Sequence, residues 1–170
     1  MIRIGVLSDT HWHGAREGGE ALVRLAECHF ADADLILHAG DLVDPEVLLA
    51  LSGREVLMVQ GNLDPPMSGV PRQRIITVGG LRIGLIHGWG APQGLVQRVL
   101  GAFSGEHLDA LVFGHSHYPH CDFRDGLLLF NPGSPTDPRG APFPSVGLLE
   151  IGETLTGRII NLNTDCKDPS

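Results

Sequence analysis

Cysteine is scarce in this chain and nowhere in CxxC spacing: Cys28, Cys121 and Cys166 are its three residues, far apart. That excludes a zinc–thiolate cluster and gives no disulfide framework, so the three are expected to be buried or incidental thiols. Basic residues are also few, with Lys plus Arg at 12 against Asp plus Glu at 20, a formal net charge of −8 with histidine neutral. A general grip on nucleic acid rests on basic patches, so that class is not expected. A small anionic substrate held through bound cations stays open, because the local charge at a metal site can oppose the global one. Long apolar runs are missing too. None approaches the ~18–20 residues of a membrane span, and Met1 to Asp9 lacks the apolar length of a signal peptide. A soluble, cytoplasmic protein with no membrane partner is expected, and a homo-oligomer is left open.

What remains is ordinary globular material: 170 residues, 42% hydrophobic and 19% charged. That length fits one domain. The expected domain is residues 1–166, with a short tail at 167–170. Ile2 to Leu7 reads as a first strand, and the helical spacing of Ala21, Leu22, Leu25 and Ala26 predicts a helix over Glu17 to Phe30. Leu35 to Leu37 is a second strand, Pro45 suits the first turn of a helix to about Leu51, and Val56 to Val59 is a third strand. The later half is richer in hairpins, with turns at Gly79-Gly80, Asp125-Gly126 and Gly152-Glu153. Between them lie a helix over Gln93 to Leu100 and a buried strand over Ala110 to Phe113. Strands alternating with helices argue for βαβ units, in which ligands gather outside the carboxyl ends of the strands.

Polar residues just past those strands form a pattern. Strand one delivers Asp9 and His11, strand two Asp41, strand three Asn62, the hairpin strand His87, and the late strand His115 and His117 in "GHSH". Each alone has an ordinary explanation as a cap, a turn residue or a satisfied polar group. Turns need not select potential ligands at every strand end, however, and the joint pattern points to metal. Imidazole and carboxylate suit borderline divalent ions such as Mn, Fe, Co, Ni and Zn. Seven donors exceed what one catalytic zinc takes, and suit two ions about 3.5–4 Å apart bridged by a carboxylate and a water. Asp41 lies between the two sets in chain order and is the natural bridge.

The set Asp9-x-His11, Gly40-Asp41, Gly61-Asn62-x-Asp64, His87 and Gly114-His115-Ser116-His117 resembles the calcineurin-like metallophosphoesterase superfamily. "SDTH" near the start and "NPGS", Asn131 to Ser134, look like its small prokaryotic phosphodiesterase branch. The resemblance implies an α/β fold, a four-layer α-β-β-α sandwich of two mixed sheets flanked by helices. It implies a first metal on Asp9, His11, Asp41 and His117 and a second on Asp41, Asn62, His87 and His115. The ions would be divalent, manganese first, with nickel, iron, zinc, cobalt or magnesium as alternatives. The reaction implied is hydrolysis of a small phosphodiester by a metal-bridging hydroxide.

Many superfamily members carry histidine after the third-motif Asn, whereas this chain has Leu63, which can neither donate a proton nor bind an oxyanion. Asp64 then has no histidine to orient at that position and is expected to be a structural acceptor. His13 in "THWHG" is the remaining candidate for contacting phosphate or donating a proton; as an exposed loop residue it would do neither. Asn131 and Ser134 are candidate substrate-wall residues, and Asn62 a catalytic one. His29, His38, His107 and His120 are set aside as ordinary polar residues, though His38, three residues before Asp41, could stand behind it. Two other readings compete: a non-catalytic scaffold of the same fold, and an amidohydrolase suggested by His11-x-His13. The latter needs a (β/α)8 barrel of ~200 residues or more, and this chain has too few βα units.

Overall fold

Alternation along the strands divides their apolar side chains between two faces. From β1 (Ile2–Leu7), Ile4 and Val6 enter one cluster and Leu7 another. After α1 (Gly19–His29), β2 (Leu35–His38) repeats the division, with Leu35 and Leu37 on the first face and Ile36 on the second. β3 (Val56–Met58) completes a parallel run, because β1 pairs with β2 and β2 with β3 in the same direction. The chain then builds β4 (Gln73–Val78), β5 (Leu81–Ile86), α2 (Leu95–Ala102), β6 (Ala110–Val112), β7 (His120–Arg124), β8 (Leu127–Asn131), β9 (Ser145–Ile151) and β10 (Leu155–Asn161). The computed structural model describes residues 1–164. The expected end of the domain at Cys166 and the tail at 167–170 lie outside the described residues.

Two five-stranded mixed sheets result, in the orders β10-β9-β1-β2-β3 and β4-β5-β6-β8-β7. Their inner faces meet through Ile4, Val6 and Leu37 on one side and Ile83, Leu85, Val112 and Phe130 on the other. α1 and a 3-10 helix at Pro45–Leu51 cover the outer face of the first sheet, and α2 covers that of the second. This is the expected four-layer α/β sandwich. Among the described residues no helix is long and apolar enough to cross a membrane.

Both helix starts differ from their expected places. Gly94 has φ 75°, a left-handed value that a helix interior cannot hold, so α2 begins at Leu95 and not at Gln93. At the first helix, residues 14–18 wind as a wider turn, and the regular helix begins at Gly19. A Cβ on Gly18 would lie 2.8 Å from Val47 Cγ2, so close packing on the 3-10 helix requires glycine there. The turns Gly79-Gly80 and Asp125-Gly126 have positive φ at both central residues, as tight two-residue hairpins require. The last hairpin, β9-β10, does not stay with the second sheet; it returns to pair beside β1. Among the described residues Cys121 is a free, exposed cysteine, and Cys166 lies outside them.

Phe130 is fully buried between the sheets, and a Cβ on Gly147 would lie 2.3 Å from its ring. Gly147→Ala should therefore destabilise the protein by about 1–3 kcal/mol, the usual cost of overpacking. In a Phe130→Leu background that penalty should shrink, as read from a double-mutant cycle in urea. Simply additive losses would show that the two residues are not in contact.

Candidate metal centre

The donors sit on loops at the carboxyl ends of the parallel strands, and their backbone is unusual. Asp9 (φ 52°), His11 (46°), Asp41 (58°), His115 (71°) and His117 (61°) all lie in the left-handed region. Asp and His enter this region more readily than most residues, but each such turn still costs about 1–2 kcal/mol. Hydrogen bonds from neighbouring loops hold the conformation. Asp9 N donates to Gly40 O at 2.9 Å and His11 N to Asp41 O at 3.2 Å, closing the first loop on the second. Asp64 accepts three main-chain N–H groups, from Asp41 (2.9 Å), Gly61 (2.7 Å) and Val43 (2.7 Å), and so ties the second loop to the third. Two glycines allow the loops to approach: a Cβ on Gly61 would lie 2.2 Å from Asp41 Oδ1, and one on Gly114 1.8 Å from Ser8 Oγ.

The side chains converge in two groups. In the first, the buried atoms Asp9 Oδ1, His11 Nε2 and His117 Nε2 have no hydrogen-bond partner. His117 Nε2 lies 3.3 Å from Asp9 Oδ1, and the rings of His11 and His117 meet edge-on at 4.9 Å. In the second, Asn62 Oδ1 lies 3.1 Å from both His87 Nε2 and His115 Nδ1, which are 3.3 Å apart. Asp41 joins the groups, its Oδ2 being 3.6 Å from His11 Nε2 and 3.3 Å from His87 Nε2. Asp9 also reaches across, with Oδ1 3.9 Å from His87 Nε2.

Each of three histidines is fixed through its other ring nitrogen. His87 Nδ1 donates to Ala39 O (2.8 Å), His115 Nε2 to Gly90 O (2.8 Å) and His117 Nδ1 to Asp137 O (2.5 Å). A carbonyl can only accept, so in the neutral ring the remaining nitrogen is a lone pair facing its neighbours. In the second group two such nitrogens and an amide oxygen face one another at hydrogen-bond distance. A cation satisfies all three at once, and outer carbonyls of this kind are what metal-bound histidines require. Hence the residues present fit divalent metal.

Charge follows the geometry. Burial opposes ionisation of Asp9, yet His117, His87 and Ser8 outweigh it and hold the carboxyl below its usual range. Asp41 behaves alike: burial is overcome by the His11 and His87 imidazoles and the Leu63 N–H, which donates to Oδ1 at 2.8 Å. Burial pushes His87 down, but Asp41 and Asp9 raise it overall. For His117 burial is again overcome, chiefly by Asp9, so it too is raised. Burial pushes His38 down to about 4, which keeps it neutral. Its Nδ1 accepts from Gly40 N at 3.1 Å, which leaves Nε2–H to donate to Thr10 Oγ1 at 3.0 Å. His38 thus spans the Asp9 and Asp41 loops, a tie that its assignment among the ordinary polar residues did not anticipate.

Other candidates fall elsewhere. Ser134 is fully buried; its hydroxyl donates to Asp9 O at 2.7 Å and accepts from Asp137 N at 3.0 Å. Asn131, also fully buried, donates to Gly114 O (3.0 Å) and Ser116 Oγ (3.1 Å) and accepts from Gly133 N (2.9 Å). The expectation that these two form the substrate wall is corrected: their polar groups are used inside the protein, bracing the loops that carry Asp9 and the histidine pair. His13 is exposed and in neither donor group, and Leu63 is 52% exposed. Ser8 was missed; its hydroxyl donates to Asp9 Oδ2 at 2.6 Å and leaves Oδ1 free. The one signal for it was its place before Asp9. The carbonyls behind the histidines carried no signal at all, since any residue supplies one.

The model of the calcineurin-like phosphoesterase superfamily domain matches residues 2–154. A probable metallophosphoesterase of Methanothermobacter thermautotrophicus is 44% identical over 163 residues, spanning 92% of this chain and 91% of that protein. The probable metallophosphoesterase YsnB of Bacillus subtilis is 32% identical over 154 residues, or 88% of this chain and 85% of that one. Among solved structures, Entamoeba histolytica Vps29 complexed with zinc has a TM-score of 0.66 at 27% identity, over 94% of this chain and 99% of that one. An archaeal phosphodiesterase shares the fold, with a TM-score of 0.71 at 19% identity over 94% and 100% of the two chains. A superfamily match over most of the chain, close relatives named as metallophosphoesterases, and a donor cluster that fits divalent metal lead to one statement: the chain belongs to the calcineurin-like phosphoesterase superfamily.

Proposed function

We propose that the chain is a dinuclear metal-dependent phosphodiesterase acting on small substrates. The observation that carries this reading is the convergence of lone-pair atoms in two groups joined by Asp41 Oδ2. Asp9, His11, Asp41 and His117 would hold one ion, and Asp41, Asn62, His87 and His115 the other. Nitrogen and oxygen donors without thiolate suit manganese first, with nickel, iron, zinc, cobalt and magnesium able to replace it. When bound, divalent ions supply positive charge to the phosphoryl oxygens and acidify a water to serve as nucleophile near neutral pH.

The chain's own residues do the rest. The Leu63 N–H fixes Asp41 Oδ1, so that Oδ2 turns to both histidine groups. Asn62 is exposed while His87 is buried, so the amide stands where substrate would meet the site. Leu63 offers no proton to a departing alkoxide, and His13 is the candidate donor. The scaffold alternative draws on the likeness to Vps29; against it, every expected donor position is filled.

Bis(4-nitrophenyl) phosphate should be hydrolysed with added manganese and not with chelator, and 4-nitrophenyl phosphate far more slowly. Absence of turnover with any divalent ion would favour the scaffold. Asp64→Asn keeps every donor but loses an acceptor for the loop N–H groups, and should weaken metal affinity or activity by about 10–100-fold, as changes behind a ligand do.

Without metal, His87 and His117 keep their second protons to higher pH than free histidine. Metal must displace those protons, so apparent affinity should rise from pH 6 to pH 8 with proton release, measured by calorimetry in buffers of different ionisation heat. Affinity independent of pH would contradict the assignment.

General acid catalysis contributes about 10²–10⁴-fold. If His13 donates the proton, His13→Ala should slow alkyl diesters by much of that factor and nitrophenyl diesters little. Similar slowing of both would mean that it only touches phosphate, and no change on either would remove it from the mechanism.

A further inference from the structure

One cavity opens directly on the donor cluster. Its volume is about 570 Å³, and its wall includes Asn62 and His87 from the centre together with Gln60, Arg72, Gln73 and Trp89. Pockets of this size hold small organic ligands. Trp89 is 48% exposed, so a large aromatic face stands uncovered two residues after His87.

That exposure is built in. Trp89 lies between Gly88 (φ 98°) and Gly90 (φ 79°), both left-handed. Arg98 grips the loop through carbonyls: Nε donates to Trp89 O at 2.8 Å, Nη1 to Gln93 O at 3.0 Å, and Nη2 to Ala91 O. His115 Nε2 adds a bond to Gly90 O at 2.8 Å, so the loop carrying Trp89 is fixed to the donor cluster itself. An aromatic face held in place before its ligand arrives gives contact area with little ordering cost.

The rest of the wall combines polar groups with Pro66 and Ile86. Gln60 Nε2 donates to Pro65 O at 3.0 Å and to Asp64 O at 3.4 Å, which fixes the amide and leaves Oε1 to accept. Arg72 is exposed and brings a cation to this mouth of an acidic chain. A planar face, a fixed acceptor and a cation suit a heteroaromatic ring bearing N–H groups and an anionic sugar phosphate.

We propose that this cavity is a nucleobase subsite and that the substrate is a nucleotide phosphoester. The base stacks on Trp89, Gln60 Oε1 accepts from its N–H groups, Arg72 meets the negative charge of the phosphate, and the phosphorus lies toward Asn62 and His87. This rests on the phosphoesterase reading of the same centre and names its substrate class.

The test is binding to the zinc-loaded full chain, followed by tryptophan fluorescence and calorimetry, with AMP, ribose 5-phosphate and adenosine as probes. Stacking on one aromatic face is worth roughly tenfold or more in affinity. AMP should bind at least that much more tightly than ribose 5-phosphate and quench tryptophan emission. Trp89→Ala should abolish both the preference and the quench while leaving ribose 5-phosphate affinity unchanged. Trp89→Phe, which keeps a smaller face, should retain part of the preference, and Arg72→Ala should weaken AMP more than adenosine. Equal affinity for AMP and ribose 5-phosphate, or a preference that survives Trp89→Ala, would overturn the subsite. Should bis(4-nitrophenyl) phosphate be hydrolysed while AMP fails to bind, the subsite falls and the phosphodiesterase reading stands. Should no diester be hydrolysed with any metal, that reading falls as well.

Discussion

Unshared electron pairs crowd a small volume at the carboxyl ends of the parallel strands, and much of the surrounding loop structure serves to keep them there. Asp9, His11 and His117 direct unpartnered buried atoms into it, and Asn62, His87 and His115 bring three more within 3.1–3.3 Å of one another. Polar atoms packed this way are costly without compensating positive charge. The raised affinities of His87 and His117 for protons are the metal-free answer to that cost. Divalent cations are the stronger answer, because one ion serves several lone pairs at once. Metal binding and folding stability are therefore coupled, and loss of metal should be felt as loss of stability as well as of chemistry.

The loops carry the strain of this arrangement and the sheets resist it. Left-handed backbone at Asp9, His11, Asp41, His115 and His117 turns successive side chains toward one point. Asp64, His38, Ser134 and Asn131 hold those turns through main-chain hydrogen bonds, and none of these four is itself in a donor group. Behind them the strands are packed on both faces, so the loop ends are not free to drift. Such support is the physical content of preorganisation: the costs of burial and strain are met in folding, before any substrate arrives.

Much of this was legible in the sequence because chemistry and position coincided. Asp9, Asp41, Asn62, His87 and the histidine pair each follow a recognisable buried strand, so the donor set could be named before its geometry was known. Asn131 and Ser134 show the limit. Their residue types suit a substrate wall, and only burial and bonding reveal that they brace Asp9 and Gly114 instead. The destination of β9-β10 was illegible for another reason: a hairpin records its own pairing and not the sheet edge it joins. The start of α2 depended on the left-handed backbone of Gly94, which periodicity does not register. Trp89 gave no signal in the sequence, since its meaning lies in the loop that fixes it beside His87.

The central claim is that the seven donors bind two ions through a shared Asp41. Anomalous diffraction at the manganese edge, on crystals grown with saturating manganese, tests it most directly. Two peaks per chain are expected in the wild type, with both weakened in Asp41→Asn, chiefly the first in His117→Ala and chiefly the second in His115→Ala. A single peak with all seven side chains ordered would contradict it.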